Sequence, residues 1–335
     1  MVAAPDALTR HLGAIEDALR KQLEGDRSAL GATARYVMGW EDRDGTPRET
    51  GGKRIRPALC VFAGELFGGS PQSALPGAVA VELIHNFSLV HDEVQDRDAE
   101  RHHRPTIWAL HGEGQAINAG DYLITRAIDA LVASDAPPSR AASALRILND
   151  AMARMIAGQW ADLSFEARLD VTAAEYLEMV RGKTGALLGA PLAMGAVLAG
   201  ASDDEAARLQ LWGETVGLAF QVRDDYLGIW GNPDLTGKSN VNDLLRKKKT
   251  LPVVHGFEHD QSGAVRSAYS RETIEPEDVA GIVSALEASG TPGFVNAEAA
   301  RLVADASQIL HDFELPDASR AALGEIGTYL VERDN

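Results

Sequence analysis

A single cysteine, Cys60, in 335 residues excludes an intrachain disulfide and any cysteine-built zinc site. Basic residues are also outnumbered: 32 Lys and Arg against 49 Asp and Glu leave a formal net charge of −17. That balance argues against non-specific nucleic-acid binding and against docking on an anionic membrane. It leaves room for a local basic cluster to hold an anionic ligand, because such a cluster dominates its own few ångströms. No apolar run reaches membrane-spanning length, and the N-terminal stretch lacks a signal-peptide pattern, so a soluble cytoplasmic protein is expected. Strand-like alternation, Ser/Gly linkers and low-complexity tracts are scarce as well.

What is present is helical periodicity. Leu8, Leu12, Ile15, Leu19 and Leu23 recur at three- and four-residue steps, the signature of an amphipathic helix. Ala/Leu-rich segments over residues 73–97, 115–133, 138–168, 203–228 and 293–312 repeat the pattern. Hydrophobic residues make up 45% of the chain, enough for a substantial core. The expectation is one all-α domain over residues 1–335, a large helical bundle with its site between helices. Three polar, Gly- or Pro-bearing loops interrupt it, at 41–52, 97–105 and 228–250; loops of this length in a compact domain are commonly lids or binding loops.

Two acidic clusters carry the chemistry. Asp92 and Asp96 lie four residues apart, so on a helix their carboxylates share one face. Like charges at that spacing repel and call for a compensating partner. The preceding Ala78–Val90 is mostly apolar, which places this helix in the interior. A second apolar helix closes on Phe220-Gln221-Val222-Arg223-Asp224-Asp225. Facing carboxylates without His or Cys suit a hard, oxygen-seeking cation, and Mg²⁺ fits best, since it takes one or two carboxylates plus waters and substrate phosphates. Lys53, Arg56, His85, Arg101, Lys183, Lys238 and Lys248 each border a helix end or one of the loops. Singly each reads as an ordinary base; together they supply what diphosphates and a magnesium cluster require.

The ordered set of motifs resembles the trans-polyprenyl diphosphate synthase family. The set comprises Gly51-Gly52-Lys53-Arg54-Ile55-Arg56-Pro57, His85, Ser88 to Asp96, Arg101, Pro105-Thr106, Gly158-Gln159, Lys183-Thr184, Phe220-Gln221, Asp224-Asp225, Gly237-Lys238 and Lys248 to Pro252. The resemblance runs over about residues 50 to 255. It implies an all-helical bundle of the isoprenoid synthase type with a central cavity, usually a homodimer. It implies that Asp92, Asp96 and Asp224 bind magnesium directly, three ions per site with diphosphate bound, and that Asp225 supports through bound water. It assigns Arg101, Lys183, Gln221, Lys238 and Lys248 to the allylic diphosphate, and Lys53, Arg56 and His85 to isopentenyl diphosphate, with Thr184 among the substrate-binding residues. Magnesium-dependent head-to-tail condensation of the two diphosphates follows as the expected reaction.

Three departures from the family pattern stand out, at Glu93, Gly228 and His102. Glu93 replaces an Asp but lies off the Asp92/Asp96 face. Gly228 stands where a third Asp is common, and is expected to hinge the following loop. His102 stands where the second of two arginines usually contacts isopentenyl diphosphate, and a neutral imidazole does not replace a guanidinium; Arg104, or a protonated His103, is the expected compensation. Phe87 lies five residues before Asp92, about 7.5 Å up the helix at ~1.5 Å per residue, with Ser88 beside it. Within the family that arrangement resembles geranylgeranyl (C20) synthases, with C15 and C25 as neighbouring products. A class I terpene cyclase and a non-catalytic subunit of a heteromeric synthase are the alternatives. The isopentenyl diphosphate residues count against the first and the intact acidic motifs against the second.

Overall fold

A computed structural model of the chain describes residues 3–48, 52–231 and 242–332. Its residues group into two compact units. The N-terminal unit holds Asp6–Asp150 and Ala190–Leu209; the C-terminal unit holds Met1–Pro5, Ala151–Gly189 and Gln210–Asn335.

The N-terminal unit opens with α1 (Asp6–Thr9) and α2 (Leu12–Leu23), so the expected amphipathic stretch is broken by one turn, with Ile15, Leu19 and Leu23 buried. The helix α3 (Ala29–Val37) starts at Ser28, whose hydroxyl accepts from the Gly31 N–H, as an N-cap should. Next come α4 (Ile55–Leu66) and α5 (Pro71–Gln95). Pro71 opens α5, where its missing N–H is harmless. Val79, Leu83, Ile84, Phe87 and Val90 bury α5 on several sides, and it packs against α4 and against α7 (Glu113–Val132). Val90, Ile107, Ala116 and Ala119 form a core patch there.

Between α5 and α7 lie the two-residue strands β1 (Glu100–Arg101) and β2 (Arg104–Pro105), paired antiparallel, and the short α6 (Ile107–His111). His102 and His103 make the two-residue turn at φ 50° and 59°. Tight hairpins need such left-handed dihedrals and favour Asn or Gly for them, with His better tolerated than most side chains.

The helix α8 (Pro138–Phe165) crosses into the C-terminal unit. There α9 (Ala173–Val180) begins on a capping box between Thr172 and Glu175, each satisfying the other's orphan N–H. It continues into a single π-turn, Arg181–Gly185, and the chain then forms α10 (Ala186–Ala199) and α11 (Asp203–Trp230), whose residues from Ala190 to Leu209 belong to the N-terminal unit. Among the described residues the α-helices that follow are α12 (Asn242–Leu245), α13 (Leu251–His259), α14 (Ala264–Ser270), α15 (Val279–Ala288), α16 (Thr291–His311) and α17 (Asp317–Val331). Ile229, Leu244, Val253, Phe257, Val265 and Leu286 share a core. An apolar cavity of about 90 Å³ among Trp212, Val216, Leu310 and Leu323 is lined by none of the expected site residues.

Against expectation, Pro71–Gln95 and Ala173–Ala199 have the length and hydropathy that crossing a bilayer requires. Yet 72% and 78% of their apolar stretches are buried within the protein, which is how core helices meet the same test.

Candidate functional site

In the N-terminal unit the site residues hang on α4, α5 and the hairpin. Asp92 lies in the last turn of α5 and Asp96 is its C-cap, with the Asp96 N–H bonded to the Asp92 carbonyl at 2.7 Å. A helix C-terminus carries partial negative charge, where cations stabilise and anions do not. This last turn contains no basic residue, so both carboxylates load negative charge onto a negative helix end. Glu93, between them in sequence, is buried; burial pushes its carboxyl up to about 7, against the pull of Arg101, whose Nε is 3.8 Å away. This arrangement invites a multivalent cation. Among the described residues no group of three or more His, Cys, Asp and Glu could hold one alone. A donor set of one or two carboxylates suits Mg²⁺, which completes its shell with water and phosphate oxygens.

Further along, the Arg56 guanidinium approaches His85 Nε2 at 3.3 Å. His85 is held well below the usual histidine range by burial, then by Arg56, Arg101 and Arg54. Neutral, its Nε2 accepts from Arg56 and its proton resides on Nδ1. Lys53, just before α4, is exposed, as is Arg101 on β1. Phe87 is buried with its ring edge-on to His91 at 4.9 Å between centroids, and Ser88 is buried beside it.

Arg104 does not compensate for His102. Its guanidinium lies over the Tyr36 ring at 4.0 Å and donates to the Tyr36 and Glu41 carbonyls at 3.2 and 2.8 Å. Stacking and fixed acceptors hold it to the protein. His103 is exposed at the turn.

In the C-terminal unit a chain of side chains links three of the expected residues. Thr184 donates to Gln221 Oε1 at 3.3 Å, Gln221 Nε2 donates to Asp225 at 3.0 Å, and Asp225 also accepts from the Tyr176 hydroxyl at 2.5 Å and the Leu251 N–H at 3.0 Å. Leu251 is the first residue of α13, so Asp225 caps a positive helix end. Burial pushes Asp225 up to about 7 in spite of these donors. Asp224, its neighbour, is exposed. Lys183 belongs to the π-turn, a bulge that often marks functional positions, and its Nζ pairs with Asp162 at 2.5 Å. The turn lies against α8 only because residue 158 is glycine: a Cβ there would stand 2.4 Å from the Lys183 backbone nitrogen.

Of the basic run before α13, Lys249 is buried, donating to the Glu166 carbonyl at 3.1 Å and lying over the Tyr269 ring. Lys247 reaches the Arg271 carbonyl. Lys248, between them, is exposed. Lys238 and Gly237 lie outside the described residues. Gly228 is not a hinge: it is inside α11, and a Cβ on it would lie 3.3 Å from an Asp243 carboxylate oxygen. A third Asp at 228 would crowd that acid. Asp162, Tyr176 and Asp243 were not foreseen. Asp162 alone left a signal, three residues after Gln159 on the same helix face.

A family model described as polyprenyl synthetase matches residues 47–286. The chain belongs to the polyprenyl synthetase family. It is 42% identical over 305 residues to a (2E,6E)-farnesyl diphosphate synthase of Mycobacterium bovis, covering 89% of this chain and 84% of that one. A polyprenyl synthetase of Streptomyces coelicolor superposes with a TM-score of 0.90 at 37% identity, over 97% of this chain and 98% of that one. A geranylgeranyl pyrophosphate synthase of Corynebacterium glutamicum, complexed with isoprenyl diphosphate and magnesium, gives a TM-score of 0.82 at 26% identity, over 99% of this chain and 100% of that one. As a polyprenyl synthetase with such relatives, the chain is a trans-prenyl diphosphate synthase, a prenyltransferase of the all-α fold. Enzymes of this family join isopentenyl diphosphate to an allylic diphosphate and are generally magnesium-dependent.

Proposed function

We propose that this enzyme performs the 1′-4 condensation of isopentenyl diphosphate with an allylic diphosphate to give a short-chain product, C20 geranylgeranyl diphosphate. The observation that carries the reading is the pair of carboxylates, Asp92 and Asp96, at the negative end of α5 with no base in its last turn. In this reading Asp92, Asp96 and Asp224 bind magnesium, three ions with diphosphate present, and Asp225 supports through bound water while accepting from Gln221. Bound magnesium would supply charge neutralisation of the departing diphosphate.

The chain's own groups do the rest. Arg101, Lys183, Gln221, Lys238 and Lys248 hold the allylic diphosphate; the positive charge of Arg101 and the three lysines stabilises the anion as the C–O bond breaks, and the Gln221 amide supplies a neutral hydrogen bond. Lys53, Arg56 and neutral His85 hold isopentenyl diphosphate, which presents its double bond to the allylic carbon. Apolar side chains such as Phe87 keep water from the cation. A new C–C bond forms, and one proton leaves to the released diphosphate. Without a second arginine at 102, the isopentenyl site relies on Lys53 and Arg56 for its charge.

A homodimer and a cytoplasmic location belong to the same reading. Ile117, Ile128 and Val132 are exposed at 45%, 39% and 67% along one face of α7, the kind of apolar stripe that an identical partner covers. The deciding assay supplies Mg²⁺ and an allylic diphosphate, with isopentenyl diphosphate present or omitted. Longer diphosphates formed only in its presence support elongation; hydrocarbon or alcohol formed without it would identify a cyclase. Product length has its own test: Phe87→Ala opens the floor beneath Asp92 and shifts the products, resolved by chromatography, toward longer chains. An unchanged distribution would remove Phe87 from that role.

A further inference from the structure

We propose that Arg54 is a positioning residue for isopentenyl diphosphate binding, acting through a buried ion-pair set with Glu82 and Glu16; the inference rests on the assignment of Lys53, Arg56 and His85 to that substrate. Arg54 stands between Lys53 and Arg56, yet its side chain is turned inward and only 5% exposed. Its three guanidinium nitrogens are all used: Nη1 donates to Glu82 at 2.8 Å, Nε to Glu16 at 3.1 Å and Nη2 to the Met38 carbonyl at 3.1 Å. Glu82 also accepts from Asn86, and Glu16 accepts from the Trp40 indole N–H. The planar fork of arginine fits three such acceptors where lysine, a point charge, does not.

The backbone shows what the network does. Arg54 is at φ 48°, the left-handed region, and is the residue from which α4 starts. Non-glycine residues settle there only when their surroundings hold them. Buried ion pairs seldom add net stability, because desolvation offsets the attraction, and apolar replacements often do as well. What such a pair does supply is one geometry. Glu82 is on α5 one turn before His85, so Arg54–Glu82 and Arg56–His85 form two consecutive rungs between the start of α4 and the same face of α5. The first rung, dry and charged, sets the chain so that Lys53 leaves on the exposed side and Arg56 meets His85.

The test compares Arg54→Lys, Arg54→Met and Glu82→Gln with the wild type in the full-length enzyme, measuring KM for each diphosphate, kcat and Tm. Lys53→Ala is the control for the substrate assignment. The expected result is a rise of about tenfold or more in KM for isopentenyl diphosphate, equivalent to ~1.4 kcal/mol, with KM for the allylic diphosphate within about twofold. Arg54→Lys, which retains the charge, should recover part of the loss relative to Arg54→Met. If Arg54→Met does not fold, Glu82→Gln keeps the shape and carries the comparison. A lower Tm with both KM values unchanged in the folded variants makes Arg54 merely structural and overturns the proposal. A Lys53→Ala enzyme with unchanged KM for isopentenyl diphosphate removes the substrate assignment itself, a different failure visible without any Arg54 variant.

Discussion

The two acidic motifs read alike in sequence but are opposites in structure. Asp92 and Asp96 sit at the C-terminal end of α5, adding negative charge to a negative helix end. Asp225 lies buried in α11 and accepts from Tyr176, Gln221 and the first N–H of α13, a positive helix end. In the proposed reading the first pair is the one that binds an external cation. The other is half consumed by the protein, leaving exposed Asp224 as its outward acid. The difference teaches that acids alike in sequence divide between those exposed to solvent and those that hold packed helices together, and that a neighbouring positive helix end draws one of them in.

That comparison can be broken at several points. The largest effect should come from Asp92→Asn, lowering kcat by about 10³-fold, while Tm measured without magnesium stays level or rises, since a charge opposing the helix dipole is gone. A fall in Tm of several degrees would show Asp92 to be as structural as Asp225. Next, Lys183→Ala should cost about 10²-fold in kcat and free Asp162; Lys249→Met, in the buried base of the same unit, should lower Tm instead. Third, Tyr176→Phe strips one donor from a buried carboxyl and should destabilise the fold by about 1–3 kcal/mol in urea unfolding, with a far smaller loss of kcat than Asp92→Asn. Parallel losses in both would merge the two motifs into one class.

The effect farthest from catalysis concerns pH. His255, on the α13 helix that Asp225 caps, stacks on His259 and Phe294, bonds to Thr291 at 2.9 Å and is pushed down to about 4 by burial and then by His259. The fold therefore holds it neutral. The unfolded chain, with an ordinary value of 6.5, takes up the proton first, so stability is intact above about pH 6.5 and falls as pH drops toward 4, by on the order of 2 kcal/mol. Urea unfolding at pH 7 and pH 4.5 measures the slope, and His255→Gln should flatten it.

Much of this was legible beforehand. The segments expected at 115–133 and 293–312 appear as Glu113–Val132 and Thr291–His311, because amphipathic periodicity is local and needs only neighbours three or four residues away. The hairpin was less so: His102 reads as a missing arginine, whereas in the fold it is a turn residue at positive φ, and Arg104 beside it is taken by Tyr36 and Glu41. Gly228 reads as a hinge yet is helical, since a glycine near a helix end carries no mark of which side of the boundary it is on.

By itself the sequence determined the helical class, the order of the motifs and the residue types a diphosphate and magnesium require, all of which follow from spacing along one chain. Only the tertiary structure decided which of those residues face inward. Arg54 turns in because Glu16 and Glu82 lie 38 and 28 residues away in sequence yet within hydrogen-bond reach. Asp225 is shared because Tyr176 and Leu251 close on it from two other helices. Such contacts leave no periodic trace, and burial, which turns an ordinary charge into a positioning device, exists only once the helices have packed.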